Sequence, residues 1–333
     1  MPDVLVDEAC LQGIADALRE PLQASTTYKP SEMAEAVASF ADPLLLRTMR
    51  SYANPRITSL GAYAFAGCVN LASVSLPKVQ TIGSYAFCSC RAMTSLNLSM
   101  VTTVMTSAFS ACFFTKTIDL PNLESIGLMA FQFCSALESI NYPKVTSIAT
   151  YAFAGCNKLS MASLPALSVI NTGVFSNCNK LTSIHAPLVH TINTYAFYGC
   201  SGLSELAFPE VTMIDQSAFP YCAGLINISL PALRSIGQTA FGSCSALRTV
   251  SFPNVSYIGN YAFSRCYNLV SVYLPSTSVV TLGGTGVFYS TPVGGYSASA
   301  GQFGSVFVPA SLVSAYCSAK YWSTISARIT AMP

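Results

Sequence analysis

Residues 71–92 read Leu-Ala-Ser-Val-Ser-Leu-Pro-Lys-Val-Gln-Thr-Ile-Gly-Ser-Tyr-Ala-Phe-Cys-Ser-Cys-Arg-Ala, and this 22-residue sentence is repeated along most of the chain. Its phenylalanine recurs at Phe65, Phe87, Phe109, Phe131, Phe153, Phe175, Phe197, Phe219, Phe241 and Phe263, always 22 residues apart. Three residues after each stands a cysteine, from Cys68 to Cys266. Nine residues after that cysteine a proline follows in nine of the ten units, with Ser99 as the exception. A fixed period of this length, held without one insertion, is the signature of a solenoid of stacked coils.

Each part of the unit has a physical role. Leu71-x-x-Val74-x-Leu76 ends in a two-residue alternation, which predicts a short strand with one buried face. Copies stacked in parallel about 4.8 Å apart form a ribbon. Pro77 and its equivalents end the strand, because proline cannot donate to a ladder. Val79 and Ile82 turn the chain inward again. The next position holds Gly83, Gly127, Gly237 and Gly259, or Asn171, Asn193 and Asp215, residue types that predict a left-handed tight turn. Tyr-Ala-Phe-x-x-Cys then reads as a short helical turn with Phe and Cys on its inner face. One coil alone exposes both flat sides of its core, so stability is a sum of nearest-neighbour contacts.

Composition fits such a molecule. Of 333 residues, 52% are hydrophobic and only 9% charged, against about 25% charged in an ordinary soluble domain. The surface is therefore expected to be polar without charge, carried by Ser, Thr and Asn. Net charge is +2 with no basic or acidic run, which leaves no electrostatic footprint for nucleic acid. No stretch approaches the ~18 apolar residues of a spanning helix, so no membrane insertion is expected. The opening residues lack a basic region followed by an apolar one, so no secretory signal is expected either.

The unit resembles the BspA-like subclass of leucine-rich repeats, recognised by Ala-Phe-x-x-Cys-x-x-Leu-x-x-[Ile/Val]-x-[Leu/Phe]-Pro. It departs from the commoner leucine-rich consensus, which puts Asn or Cys after the strand where this chain has Pro-x-Val. The resemblance implies a leucine-rich-repeat solenoid: a right-handed, curved α/β-type coil with short parallel strands on the concave side, joined by short helical or 3-10 turns. The third unit differs from its own consensus: Met93, Ser99, Met105 and Thr115 replace Leu, Pro, Gly and Leu, and Phe113-Phe114 stand where polar residues are usual. Local repacking with Phe114 in place of the leucine is one reading, and an apolar spot for a partner is the other.

Three regions follow: a helical N-terminal module at 1–42, repeats over 43–290, and a C-terminal cap at 291–333. Leu11, Ile14, Ala15 and Leu18 fall at helical spacing, and Ser31–Phe40 gives a second helical pattern. The module caps the first coil or attaches the chain to a larger assembly. Its Ile-Ala-Asp-Ala-Leu-Arg-Glu and Lys-Pro-Ser-Glu-Met-Ala-Glu-Ala-Val segments resemble phage and prophage tail-associated proteins. After Phe288 the period fails, with Thr291 at the cysteine position and a Gly/Ser-rich loop from Gly283 to Gly304. Residues 308–323 then read as a strand end and a helix with Leu312, Tyr316 and Tyr321 inward. This closing segment resembles those that follow BspA-like repeats in phage-like and gut-bacterial proteins.

Catalytic chemistry has little to work with. Ten of the thirteen cysteines belong to the ladder, where they are expected to be free and to act as small buried hydrophobes. His185 and His190 are the two histidines, on different segments of one coil with no acid near either in the repeat pattern. No phosphate-binding, nucleophile-elbow or zinc-protease motif occurs. No cofactor, metal site or enzymatic activity is expected. The candidate site is instead the outward row of the concave strands: Ser75, Asn97, Asp119, Asn141, Ser163, His185, Ser229, Ser251 and Tyr273, with Ala207 between. A parallel row holds Ser73, Ser95, Thr117, Ser139, Met161, Ser183, Glu205, Asn227, Thr249 and Ser271. Short hydroxyl and amide groups are either simply solvated there or form an adaptable polar binding surface. The surface suits a protein or a cell-surface glycan, not nucleic acid, which would want Arg and Lys. The resemblances imply a non-enzymatic recognition protein of a phage tail or virion, for receptor binding or structure. The alternative is a bacterial cell-surface or secreted adhesin.

Overall fold

The computed structural model describes residues 48–113, 116–296 and 303–333. The helical patterns expected within 1–42, and the packing expected of Phe114, lie outside those residues. Within them the chain winds as a parallel-strand solenoid, and three ladders of hydrogen bonds tie each coil to the next.

The first ladder is the expected strand. Ser73–Ser75, Ser95–Asn97, Ser139–Asn141, Met161–Ser163, Ser183–His185, Asn227–Ser229, Thr249–Ser251 and Ser271–Tyr273 repeat one three-residue strand. All pairings are parallel and keep the 22-residue register, for example Val74 with Leu96 and Ile228 with Val250. The ribbon is not continuous. Thr117–Asp119 and Glu205–Ala207 form no strand, so the ribbon divides into stretches of three, three and five strands. At the first interruption Tyr142 replaces the usual leucine and its buried hydroxyl donates to the Ile118 carbonyl at 3.1 Å.

The second ladder runs through two-residue strands such as Thr81–Ile82, Ser125–Ile126 and Ser235–Ile236. It passes unbroken through both gaps of the first ribbon and has its own gap between Ser147–Ile148 and Val169–Ile170. There the carboxamide of Asn171 donates to the Ile148 carbonyl at 2.8 Å. In the other coils a backbone N–H takes the matching carbonyl, as in Gly127 to Val104. Because the gaps fall in different coils, no coil loses both connections at once.

The third ladder is the Tyr-Ala-Phe-x-x-Cys segment, which forms the expected short turn, while the expected place of the left-handed residue is corrected. The i→i+3 bonds of a short 3-10-type turn are present, with Cys68 N donating to the Phe65 carbonyl and Cys90 N to Phe87. The segment does not continue as a helix, because left-handed residues stand two before and two after the phenylalanine. Tyr63 (φ 59°) and Gly67 (φ 73°) flank Phe65, and Met129 (φ 54°) and Phe133 (φ 58°) flank Phe131. The reversals aim the amides at the following coil: Tyr63 N, Phe65 N and Gly67 N donate to the carbonyls of Ser84, Ala86 and Cys88.

Gly83 and its equivalents are therefore not the left-handed positions. They lie flat on the preceding coil, where a Cβ on Gly83 would sit 2.6 Å from the Gly61 carbonyl carbon and one on Gly237 2.4 Å from that of Asp215. Close approach of backbones is what selects glycine there.

The core is one stack. Phe65 through Phe263 are buried, and Phe288 continues the column despite the longer spacing, with neighbouring ring centroids 4.9–5.9 Å apart and planes within 18°. Offset stacking at this distance is favourable for aromatic pairs. The C-terminal segment closes the column. Ser305–Val308 adds to the first ribbon, a helix at Val313–Ser318 follows, and Ile329–Ala331 pairs beside Ser305–Val308. Tyr316 and Trp322 are buried, whereas Leu312 and Tyr321 pack only in part. Trp322 Nε1 donates to the Val280 carbonyl at 2.7 Å, and the Tyr316 hydroxyl accepts from Val280 N at 3.1 Å. Both groups saturate a final coil that has no successor.

The surface is polar through side chains that bond backward by one coil. Thr94, Thr102, Ser160, Thr182, Thr212 and Ser256 each donate to a backbone carbonyl 22 residues earlier. Asn122, Asn254 and Asn268 donate in the same way 23 residues back. Groups that satisfy coil edges need no charge, which accounts for the low charged fraction.

Two substitutions probe this architecture in opposite directions. Phe153→Ala removes a fully buried ring from the column and is expected to cost about 3–5 kcal/mol. Ala111→Gly relieves a left-handed alanine (φ 58°) and is expected to add about 1 kcal/mol. Denaturant melts of both proteins check the pair.

Candidate functional site

The outward residues named from the sequence occupy one face of the first ribbon, alternating with buried Val74, Ile140, Ala162, Ile184, Ile228, Val250 and Val272. Three groups emerge. Ser75 and Asn97 are register partners, and the Asn97 carboxamide donates to the Ser75 hydroxyl at 3.4 Å. Asn141, Ser163 and His185 are adjacent in the second stretch. Ser229, Ser251 and Tyr273 are adjacent in the third. Asp119 and Ala207 are exposed but fall in the two interruptions, so neither belongs to a paired strand.

The third group extends further than the repeat pattern implied. Tyr273 is in register with Phe307 of the closing segment, and the rings stack at 4.7 Å with planes 12° apart. An aromatic step thus ends a face otherwise made of hydroxyls and amides. Sequence reading missed Phe307 because it lies beyond the last regular unit. The Val306-Phe307-Val308 alternation was the available signal.

The histidines stay apart in role. His185 is exposed on the ribbon, and His190 is exposed in the following segment with Nδ1 2.9 Å from the Thr191 hydroxyl. Among the described residues, no group of three or more His, Cys, Asp or Glu side chains is placed to hold a metal ion. No described helix is long and apolar enough to cross a membrane.

The ladder cysteines are free and buried, as expected, yet they do more than fill space. From Cys90 onward each ladder thiol donates to the carbonyl of the phenylalanine 25 residues earlier, in the preceding coil. Nine such bonds run from Cys90→Phe65 to Cys266→Phe241, with S···O distances of 3.0–3.2 Å. Thr291 stands at the cysteine position of the last coil and turns its hydroxyl to its own Phe288 carbonyl at 2.8 Å. Burial pushes the thiols of Cys134 and Cys178 up to about 12, because a thiolate there would be unsolvated.

A family model for the BspA type leucine-rich repeat region matches residues 51–160 and 168–292 in six copies. The chain belongs to the BspA-type leucine-rich repeat family. Among solved structures, a leucine-rich repeat protein from Bacteroides ovatus is 24% identical over 85% of this chain and 92% of its own, with a TM-score of 0.44. A leucine-rich repeat protein of T. pallidum is 30% identical over 44% of this chain and 73% of its own, with a TM-score of 0.42. A leucine-rich cell surface protein from Faecalibacterium prausnitzii is 20% identical over 83% of this chain and 90% of its own, with a TM-score of 0.40. No curated protein matches. Leucine-rich repeat proteins are generally binding scaffolds, and nothing among the described residues points to catalysis.

The raised thiols give a pH dependence with a defined sign. A thiol with an ordinary value of 9.0 when unfolded and about 12 when folded contributes stability that is fully present below pH 9. That contribution is lost as the pH rises from 9 to 12, because the unfolded chain then releases protons the folded one retains. Melting temperature is expected to fall steadily across this window. In a Cys178→Ala protein the fall should be shallower, which melts at several pH values will test.

Proposed function

We propose that this BspA-type protein is a non-enzymatic recognition module whose outward strand face docks a polar partner, a cell-surface glycan or a protein. The observation that supports the reading most directly is the row Ser75, Asn97, Asn141, Ser163, His185, Ser229 and Ser251. These side chains are exposed or half-buried and are spaced by the coil repeat. Short polar groups offer hydrogen bonds with little side-chain entropy to lose, and fixed strands hold them in place. The stacked Tyr273–Phe307 pair supplies an apolar step at one end of the row. Such a ring pair suits the apolar face of a sugar or a partner's aliphatic side chain.

Two settings accommodate this activity. In the first, the N-terminal segment attaches the chain to a phage or prophage tail and the solenoid meets the host surface. The resemblance of residues 14–20 and 29–37 to tail-associated segments supports it. In the second, the chain is a bacterial adhesin whose repeats meet another cell, and its family membership supports that setting equally. Both assign the same task to the strand face.

The test replaces Asn97, Asn141 and Ser229 by lysine, singly and together. Long cations on that face are expected to reduce binding to whole cells or to an arrayed glycan at least tenfold for the triple variant, with melting temperature unchanged. Undiminished binding by the triple variant would remove the strand face from the reading.

A further inference from the structure

The turn face, formed by the third ladder, carries a second and different feature. In three coils its surface is closed by an aromatic ring, Phe133, Tyr151 or Tyr261, folded onto a glycine of the next coil. A Cβ on Gly155 would lie 2.5 Å from the Phe133 ring, and one on Gly173 2.1 Å from the Tyr151 ring. The Phe241 coil has no such ring. It carries Thr239 and Ser243 at its two left-handed positions and Gly242 between, whereas the flanking coils carry Tyr221 and Tyr261 at such positions. Small side chains between large ones open a slot of about 270 Å³, floored by Gly242, Ser243 and Ser264 and flanked by Tyr221, Tyr261 and Tyr289. Two coil spacings, about 10 Å, separate the backbones that carry Tyr221 and Tyr261.

The slot has a defined chemistry. Tyr221, Tyr261 and Tyr289 are 50%, 43% and 57% exposed, so their rings are available. Tyr261 is held in place by packing over Gly286, and Tyr289 meets it edge-on at 6.4 Å. The exposed side chain of Arg265 also lines the slot, and among the described residues its guanidinium has no hydrogen bond or ion pair. No acidic residue lines it. Phenols, hydroxyls from Thr239, Ser243 and Ser264, and the Arg265 guanidinium line a space sized for a single small ring. Arginine matches a carboxylate with two parallel hydrogen bonds, and tyrosine offers both an apolar face and a polar tip.

From this lining we infer that the slot binds one carboxylated pyranose unit of an acidic glycan, a uronic or sialic acid residue. The tyrosines contact the ring and Arg265 takes the carboxylate. Tyr195, Tyr198 and Tyr221 continue along the same face, with Tyr198 and Tyr221 5.3 Å apart, and give neighbouring sugar units of a chain something to lie against. The site is separate from the strand face, and its existence does not depend on what that face binds.

Calorimetric titration of the full chain with glucuronic-acid-containing and sialylated oligosaccharides tests the assignment. Neutral oligosaccharides of the same length and polyglutamate serve as comparison. Two variants report on the slot. Arg265→Gln removes the charge, and Ser243→Tyr fills the space with a residue the fold already accepts at the equivalent Tyr221. Each is expected to weaken binding of an acidic oligosaccharide at least tenfold without moving the melting temperature, whereas Asn141→Lys on the strand face leaves it unchanged. A response to only one of the two acidic sugars would identify which carboxylated unit is read. The inference is overturned if neither acidic oligosaccharide binds at millimolar concentration, or if both slot variants bind as the parent does. It is also overturned if neutral sugars or polyglutamate bind as tightly.

Discussion

The carbonyl of the ladder phenylalanine is where the fold is decided. In each interior coil it accepts two donors at once: the backbone N–H of the cysteine three residues on, which closes the turn, and the thiol of the cysteine in the next coil. One oxygen therefore fixes both the shape of a coil and its distance to the next. A shift of one residue would move the thiol away and bury an unsatisfied group, at a cost of about 1–3 kcal/mol per coil. The cysteine must be protonated to donate, and burial keeps it so. The invariance of the 22-residue spacing is the sequence-level trace of this double bond.

That constraint explains what sits around it. To present its N–H groups to the following coil, the backbone reverses on either side of the phenylalanine, and bulky residues such as Tyr85, Phe133 and Tyr221 accept left-handed angles to do so. The expense of these angles is met by three inter-coil bonds per turn segment. The strand ladders on the other sides of the coil are looser. Each tolerates gaps, and Tyr142 and Asn171 satisfy carbonyls at or beside them. Rigidity is thus concentrated on the turn face and latitude on the strand face, where the candidate docking residues lie.

Much of this was legible in the sequence because period and polarity are strong signals. The alternation around Val74 and Val250 placed the strands and their outward residues, and the Phe–Cys spacing placed the core. What escaped reading did so for physical reasons. Glycine serves both for positive φ and for close backbone approach, and at Gly83 and Gly237 the second use applies. Nothing in a tyrosine or phenylalanine announces a left-handed backbone, so Tyr63 and Phe133 could not be recognised one coil at a time. Cysteine reads as a small apolar residue until its neighbour's carbonyl is located. Interruptions at Thr117–Asp119 and Glu205–Ala207 depend on packing between coils, which a single repeat does not express. Phe307, which completes one end of the outward row, lies outside the period altogether.

The repetition of the same turn-face bonds in coil after coil has a bearing on how such a chain can change. On that face the backbone carbonyls of each coil accept from the coil before it and its backbone N–H groups donate to the coil after, while the ladder thiols donate the opposite way. Interior junctions therefore share the same turn-face bonds, while the closing segment with Trp322 and Tyr316 fits only the last. Loss or duplication of 22 codons anywhere between Phe65 and Phe263 would recreate a junction of the same kind. Length, and with it reach, can drift in whole coils by slippage or recombination, while a change of any other size meets an immediate structural penalty.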